Sequence, residues 1–204
     1  MEQVTEKQKS ITFTDQMRDR FRGILDPVGA FFNRLGLMPN TMTILGLAGN
    51  TAGAYFLSQG NMVLGGVLIL AMGPVDALDG TMARLRGEAS EFGAFVDSVT
   101  DRYSELVIFG GLLCYYILDG DLLGGLLTFA ATGGSILVSY IRARASSLGY
   151  DTKVGLLTRM ERYLVLAPSL VLNIPMLGLW IIAVFANLTA LQRILDVRRQ
   201  TRKE

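Results

Sequence analysis

Apolar segments that approach the ~20 residues a helix needs to cross a bilayer recur along this 204-residue chain, and they limit what it can become. Soluble cores are built from shorter apolar stretches. Six segments stand out, at 41–57, 62–78, 92–118, 122–141, 163–172 with a polar lead-in from Thr158, and 176–195. Half of the residues are hydrophobic and 18% are charged, below the usual quarter. The sequence therefore predicts an all-α, polytopic membrane protein with six transmembrane helices.

The basic residues give that prediction a direction. Lys7, Lys9, Arg18, Arg20, Arg22 and Arg34 precede the first segment, and Arg84, Arg86 and Arg102 flank the second and third. Arg142, Arg144, Lys153, Arg159 and Arg162 lie between the fourth and fifth, while Arg193, Arg198, Arg199, Arg202 and Lys203 close the chain. The turns at 58–61, 118–121 and 173–175 contain none. By the positive-inside rule this alternation predicts a multi-pass cell-membrane protein with both termini on the cytoplasmic side.

Ahead of the first segment, Phe13, Met17, Phe21, Ile24 or Leu25, Val28 and Phe31 or Phe32 recur at helical spacing, with Arg18, Asp19, Arg20 and Arg22 on other faces. This pattern predicts an amphipathic helix lying in the membrane interface, bent at Pro27. A cytosolic helix packed on the bundle is the alternative. The first ten residues are polar and lack the apolar core of a signal peptide. The expected organisation is a cytoplasmic tail and juxtamembrane helix at 1–38, a six-helix membrane domain at 39–198, and a cytoplasmic tail at 199–204.

Composition narrows the chemistry. A net charge of +1 gives nucleic-acid binding no support. One cysteine, Cys114, excludes a disulfide framework, and the absence of histidine removes the usual zinc ligand and general base. Carboxylates, hydroxyls, lysines and arginines remain. Four carboxylates gather in the run DALDGTMARLRGEASEFGAFVDSVTD, which opens at Asp76 and closes at Asp101. Asp76 and Asp79 are three apart, and Asp97 and Asp101 four apart, so each pair shares one helix face. The loop around residues 86–90 would bring the two helices together as antiparallel neighbours. A carboxylate at membrane depth is unfavourable unless it is paired, hydrated or metal-bound, and four in one site repel. An all-oxygen donor set points to a hard cation, Mg2+ first, with Mn2+ or Ca2+ possible. Four carboxylates suit two ions. A polar bundle interior or an ion pathway is the competing explanation. Gly80, Ala83 and Gly93 continue the same faces, where small residues serve either close helix packing or the approach of a bulky ligand.

These positions, Asp76-x-x-Asp79-Gly80-x-x-Ala83-Arg84, eight residues, then Gly93-x-x-x-Asp97-x-x-x-Asp101, resemble the full signature of the CDP-alcohol phosphatidyltransferases. The resemblance implies a dimeric integral membrane enzyme that transfers a phosphatidyl group from CDP-diacylglycerol to an alcohol and releases CMP. It implies Asp76, Asp79, Asp97 and Asp101 as metal ligands, with Asp101 also the general base. Gly80, Ala83, Arg84 and Gly93 would accommodate the cytidine nucleotide and its pyrophosphate. Attack would fall on the phosphorus carrying the lipid, by direct transfer.

The acceptor is read from the arginines. Arg142, Arg159 and Arg193 could turn inward, and a guanidinium fork suits phosphate, so a phosphorylated alcohol is expected. Membrane anchoring is the other explanation for each. The segments 139–149, 155–165 and 188–200 resemble the prokaryotic branch that uses inositol phosphate, although Met160 replaces a usual proline and Ser146 a frequent acidic residue. Inositol 1-phosphate is the expected acceptor. Glycerol 3-phosphate, giving phosphatidylglycerol phosphate, is the main alternative. An ion or solute transporter is the alternative of another class, although the chain has no clear internal repeats or interrupted half-helices.

Overall fold

The computed structural model describes residues 13–88 and 90–202, with side chains from residue 23 onward. The tail positions 1–12 and 203–204 lie outside the described residues. So do the side chains of Phe13, Met17 and Phe21, which carried half of the amphipathic pattern. The described residues form seven helices, α1 (Phe13–Arg34), α2 (Pro39–Ser58), α3 (Met62–Arg86), α4 (Glu91–Asp119), α5 (Leu122–Ser147), α6 (Arg159–Val171) and α7 (Pro175–Thr201).

Local chemistry sets the helix ends. Pro39 and Pro175 open α2 and α7, where the missing N–H has no intrahelical role. The Asn61, Ser90 and Asp121 side chains accept from the backbone N–H three residues on, capping α3, α4 and α5. Glu161 accepts from Thr158 N at the start of α6. Gly87 and Gly120 end α3 and α4 in the left-handed conformation, at φ 68° and 75°.

The helices bury a core of Leu57, Ile69, Phe109, Leu112, Leu170 and Ile182, among others. The outside is also apolar: Ile117, Leu118, Leu122, Leu126 and Phe129 are all exposed, as a lipid-facing surface requires.

The six-span expectation is corrected by these helices. Three of them, Met62–Arg86, Leu122–Ser147 and Pro175–Thr201, are long and apolar enough to cross a membrane. At 13 residues, α6 spans only about 20 Å, short of a ~30 Å hydrocarbon core. The first half of α4 carries Asp97, Asp101, Arg102 and Glu105, and α2 is diluted by Asn40, Asn50, three threonines and three glycines. Counting apolar runs and alternating charge treated those polar turns as helix ends, when they are helix interiors. The leading interfacial helix belongs to the same corrected architecture. α1 runs unbroken through Pro27 and packs on α3, with Gly29 against Thr81, Met82 and Leu85. Asn33 donates to Met82 O, and Arg86 donates to Asn33 Oδ1 and Leu37 O.

A second difference matters more for chemistry. α3 and α4 were expected to pack face to face. Instead both lean on α2, α3 also packs on α6, and the two acidic helices barely touch. Gly53 and Gly65 let α2 and α3 close on each other's backbones, and Gly111 does the same for α4 on α2 at Ala54. The small residues of α2 thus draw α3 and α4 to it and leave a gap between them.

Candidate active site

The gap is where the four aspartates stand. Asp76 lies ten residues before the end of α3 at Arg86, and Asp101 ten after the start of α4 at Glu91, about 15 Å along each axis. The short reversal through Gly87 and Ser90 therefore brings them level. α2 forms the floor. Thr43 donates its hydroxyl to Asp79 Oδ2 at 2.7 Å, and Asp79 also accepts from Gly80 N. Gly46 faces Asp76 so closely that a Cβ there would collide with the carboxylate.

α6 closes the gap from the side. Arg159 Nη2 lies 3.1 Å from Asp76 Oδ2 and 2.6 Å from Asp101 Oδ1, so one guanidinium bridges the two acidic helices. Asp97 is near enough for its charge to act on Asp76, Asp79 and Asp101. Among the described residues no three carboxylates converge at metal-ligating distance. The arginine separates them and supplies the positive charge that the set requires. Two hard-oxygen donors, from Asp76 and Asp101, meet on one cation, the Arg159 guanidinium, and oxygen donors of this kind suit a hard divalent ion.

Burial pushes the Asp101 carboxyl up to about 7 against the pull of Arg159, and the charges of Asp97 and Asp76 add to the rise. Below that pH the carboxyl favours its protonated form, and a divalent ion binding there would have to displace the proton. Apparent Mn2+ affinity is expected to rise about tenfold per pH unit between roughly pH 6 and 7 and then level off. Calorimetric titration across that range checks this, and a pH-independent affinity would contradict it.

Gly80 and Gly93 differ from the packing glycines. A Cβ at either would meet only its own helix, Arg84 Nη1 at 3.4 Å and Ser90 Oγ at 3.2 Å. Their smallness serves no contact with another helix. Ala83 is half-buried and Arg84 exposed, its Nη2 donating to Thr81 Oγ1.

The other expected arginines sit beside the acidic end. Arg193 is 3% exposed and donates to Val138 O and Val154 O at 2.7 and 3.0 Å. Arg142 is exposed on α5, and the charges of Arg142 and Arg162 both reach Arg193. Arg162, 2% exposed, makes a two-point pair with Glu105 (2.7 and 3.1 Å) and donates to Leu157 O. Thr189 Oγ1 accepts from Leu156 N and Leu157 N, which pins the segment before α6 to α7.

Sequence reasoning missed Thr43, Gly46 and Glu105. Glu105 carried one usable signal, since it continues the Asp97–Asp101 face by another turn. The others act through contacts made only after folding.

A sequence model of the CDP-alcohol phosphatidyltransferase family matches residues 36–192. The chain is 36% identical over 198 residues to a phosphatidylinositol phosphate synthase of Streptomyces avermitilis, covering 89% of this chain and 80% of that protein. It is 32% identical over 190 residues to an archaetidylinositol phosphate synthase of Pyrococcus horikoshii, covering 91% and 96%. Its fold is similar to the crystal structure of Mycobacterium tuberculosis phosphatidylinositol phosphate synthase with CDP-DAG bound. The TM-score is 0.79 at 31% identity, over 85% of this chain and 93% of that one. The complex of that enzyme with manganese and citrate matches with the same TM-score and identity, over 85% and 88%.

Proposed function

The chain belongs to the CDP-alcohol phosphatidyltransferase family, and we propose that it transfers the phosphatidyl group of CDP-diacylglycerol to inositol 1-phosphate, giving phosphatidylinositol phosphate and CMP. The observation that carries this reading is Arg159 bridging Asp76 and Asp101 beside Asp79 and Asp97, with Arg162, Arg193 and Arg142 forming a second, basic group close to one another. The acidic set suits a divalent metal and a pyrophosphate donor. The basic set suits an acceptor that keeps its own phosphate.

Asp76, Asp79, Asp97 and Asp101 hold the cofactor, Mg2+ with Mn2+ as a substitute, as two ions. When bound, such ions neutralise the donor pyrophosphate and the charge that develops on departing CMP. Gly80, Ala83 and Gly93 leave room for the nucleotide backbone, with Arg84 at its phosphates. Asp101 takes the proton of the acceptor hydroxyl as that oxygen attacks the lipid-bearing phosphorus; the phosphorus–oxygen bond to CMP breaks, and CMP leaves as the anion. Arg159, released from Asp76 and Asp101, turns to the acceptor phosphate beside Arg142 and Arg193. Arg162, paired with Glu105, anchors the start of α6 that carries Arg159.

The chain is a membrane protein, and we place the site at the cytoplasmic face of a multi-pass bundle, within residues 39–198. The basic residues of 84–86, 142–144, 153–162 and 193–199 support this, because they lie at the C-terminal ends of α3, α5 and α7 and around the N-terminal end of α6. We also take the working unit to be a homodimer, as the family resemblance implies.

A panel of alcohols offered with CDP-diacylglycerol and Mg2+, read as CMP release, tests the reaction. Release is expected with inositol 1-phosphate and only background with inositol, serine or no acceptor. Release driven by glycerol 3-phosphate alone would reassign the chain to phosphatidylglycerol phosphate synthesis. No release with any acceptor would favour transport.

A further inference from the structure

Pro74 lies inside α3, two residues before Asp76. Proline has no N–H, so the carbonyl four residues earlier, Leu70 O, loses its ladder partner. Such a carbonyl is unfavourable in a dry bundle unless another donor reaches it. Here the donor comes from α6. The Tyr163 hydroxyl lies 2.9 Å from Leu70 O and 2.8 Å from Ile69 O, and accepts from Gly73 N at 3.0 Å. One phenolic proton serves two adjacent carbonyls, and the oxygen takes the N–H that a regular helix would direct to Ile69 O. The hydroxyl is inserted into the α3 ladder. Gly73 admits it, since a Cβ there would stand 2.5 Å from the Tyr163 oxygen and 2.8 Å from its ring.

The insertion is in register with the site. Arg159 and Tyr163 are one turn apart on α6, and Asp76 and Gly73 one turn apart on α3. Arg159 meets Asp76, and Tyr163 meets Gly73. Two contacts on matching rungs fix how α6 lies along the acidic stretch of α3. Only the arginine must release when a metal enters; the tyrosine stays with the backbone.

We propose that Tyr163 is a positioning residue for the acidic site. Its hydroxyl replaces the helix bonds disturbed at Pro74 and sets the direction of the α3 segment that carries Asp76 and Asp79. This inference rests on the metal-site reading given above.

Mn2+ binding to the purified full-length protein, followed by electron paramagnetic resonance, tests it, with Tm and CMP-release kinetics measured on the same samples. Tyr163→Phe keeps the ring and removes the hydroxyl. It is expected to weaken Mn2+ binding about tenfold and lower kcat by a similar factor, while KM for the acceptor changes less than about twofold. Pro74→Ala restores the N–H that Leu70 O lacks. The Tyr163→Phe/Pro74→Ala double variant is therefore expected to recover most of the lost Mn2+ affinity. Unaltered Mn2+ affinity in Tyr163→Phe overturns the positioning role, whether or not Tm falls, and so does a double variant as weak as the single. If Tyr163→Phe does not fold, the double variant decides alone: affinity near that of the unsubstituted protein supports the role and weak affinity overturns it. Absence of Mn2+ binding by the unsubstituted protein overturns the metal-site reading beneath it.

Discussion

Asp101→Asn is expected to lower kcat by about a thousandfold, within the range that general-base removal produces, while the protein still folds. The substitution is nearly isosteric, and it removes one of four mutually repelling charges. Asp101 loses its ion pair with Arg159, but Asp76 still holds that guanidinium at 3.1 Å. Tm should therefore stay within a few degrees. The base and ligand roles separate in the binding data. Asp101→Asn should retain measurable Mn2+ binding through Asp76, Asp79 and Asp97, whereas Asp79→Asn should lose binding and activity together. CMP release close to the unsubstituted rate in Asp101→Asn membranes would remove Asp101 from its assigned role.

The largest loss of stability is expected from Glu105→Ala. Glu105 is the carboxylate partner of Arg162, whose side chain is 2% exposed. Removing it leaves a buried guanidinium whose remaining hydrogen-bond acceptor among the described residues is Leu157 O. Breaking one side of a buried ion pair costs about 3–5 kcal/mol, or roughly 10 °C in Tm for a chain of this size. Replacing both partners should be milder, because no buried charge is stranded. Glu105→Met/Arg162→Met is therefore expected to unfold above Glu105→Ala in a thermal melt in detergent. A double variant less stable than the single would mean that Arg162 stabilises the bundle by something other than this pair. Activity should be lost in both, since Arg162 anchors the start of α6 from which Arg159 reaches the aspartates.

The nearness of the four aspartates was largely legible in the sequence because its information is local. Three- and four-residue spacing places Asp76 with Asp79 and Asp97 with Asp101 on any helix, and a short turn levels the two pairs. The identity of the helix between them was not legible. α2 supplies Thr43 and Gly46 through contacts 36 and 30 residues away in sequence, and small residues alone do not say which backbone they will meet. Arg159 was expected near the reaction centre, but its seat between Asp76 and Asp101 depends on how α6 lies on α3, across 83 residues from Asp76. That placement follows from Tyr163 and Pro74, whose complementarity appears only in three dimensions. The number of spans was misread for a related reason. The polar turns of α4 that carry the chemistry are continuous with an apolar helix, and α6 ends after 13 residues. Charge alternation and apolar length cannot distinguish a helix that crosses a bilayer from one shaped to hold a site.

If this acidic end transfers a phosphatidyl group to a phosphorylated inositol, the lipid product must carry that inositol phosphate. The most direct measurement offers equimolar inositol 1-phosphate and glycerol 3-phosphate to the purified protein with CDP-diacylglycerol and Mg2+, and weighs the lipid product by mass spectrometry. The expected product is phosphatidylinositol phosphate, formed with one CMP per lipid and abolished by chelation of the metal. Phosphatidylglycerol phosphate as the main product, or a product that forms equally well in chelator, would contradict the account.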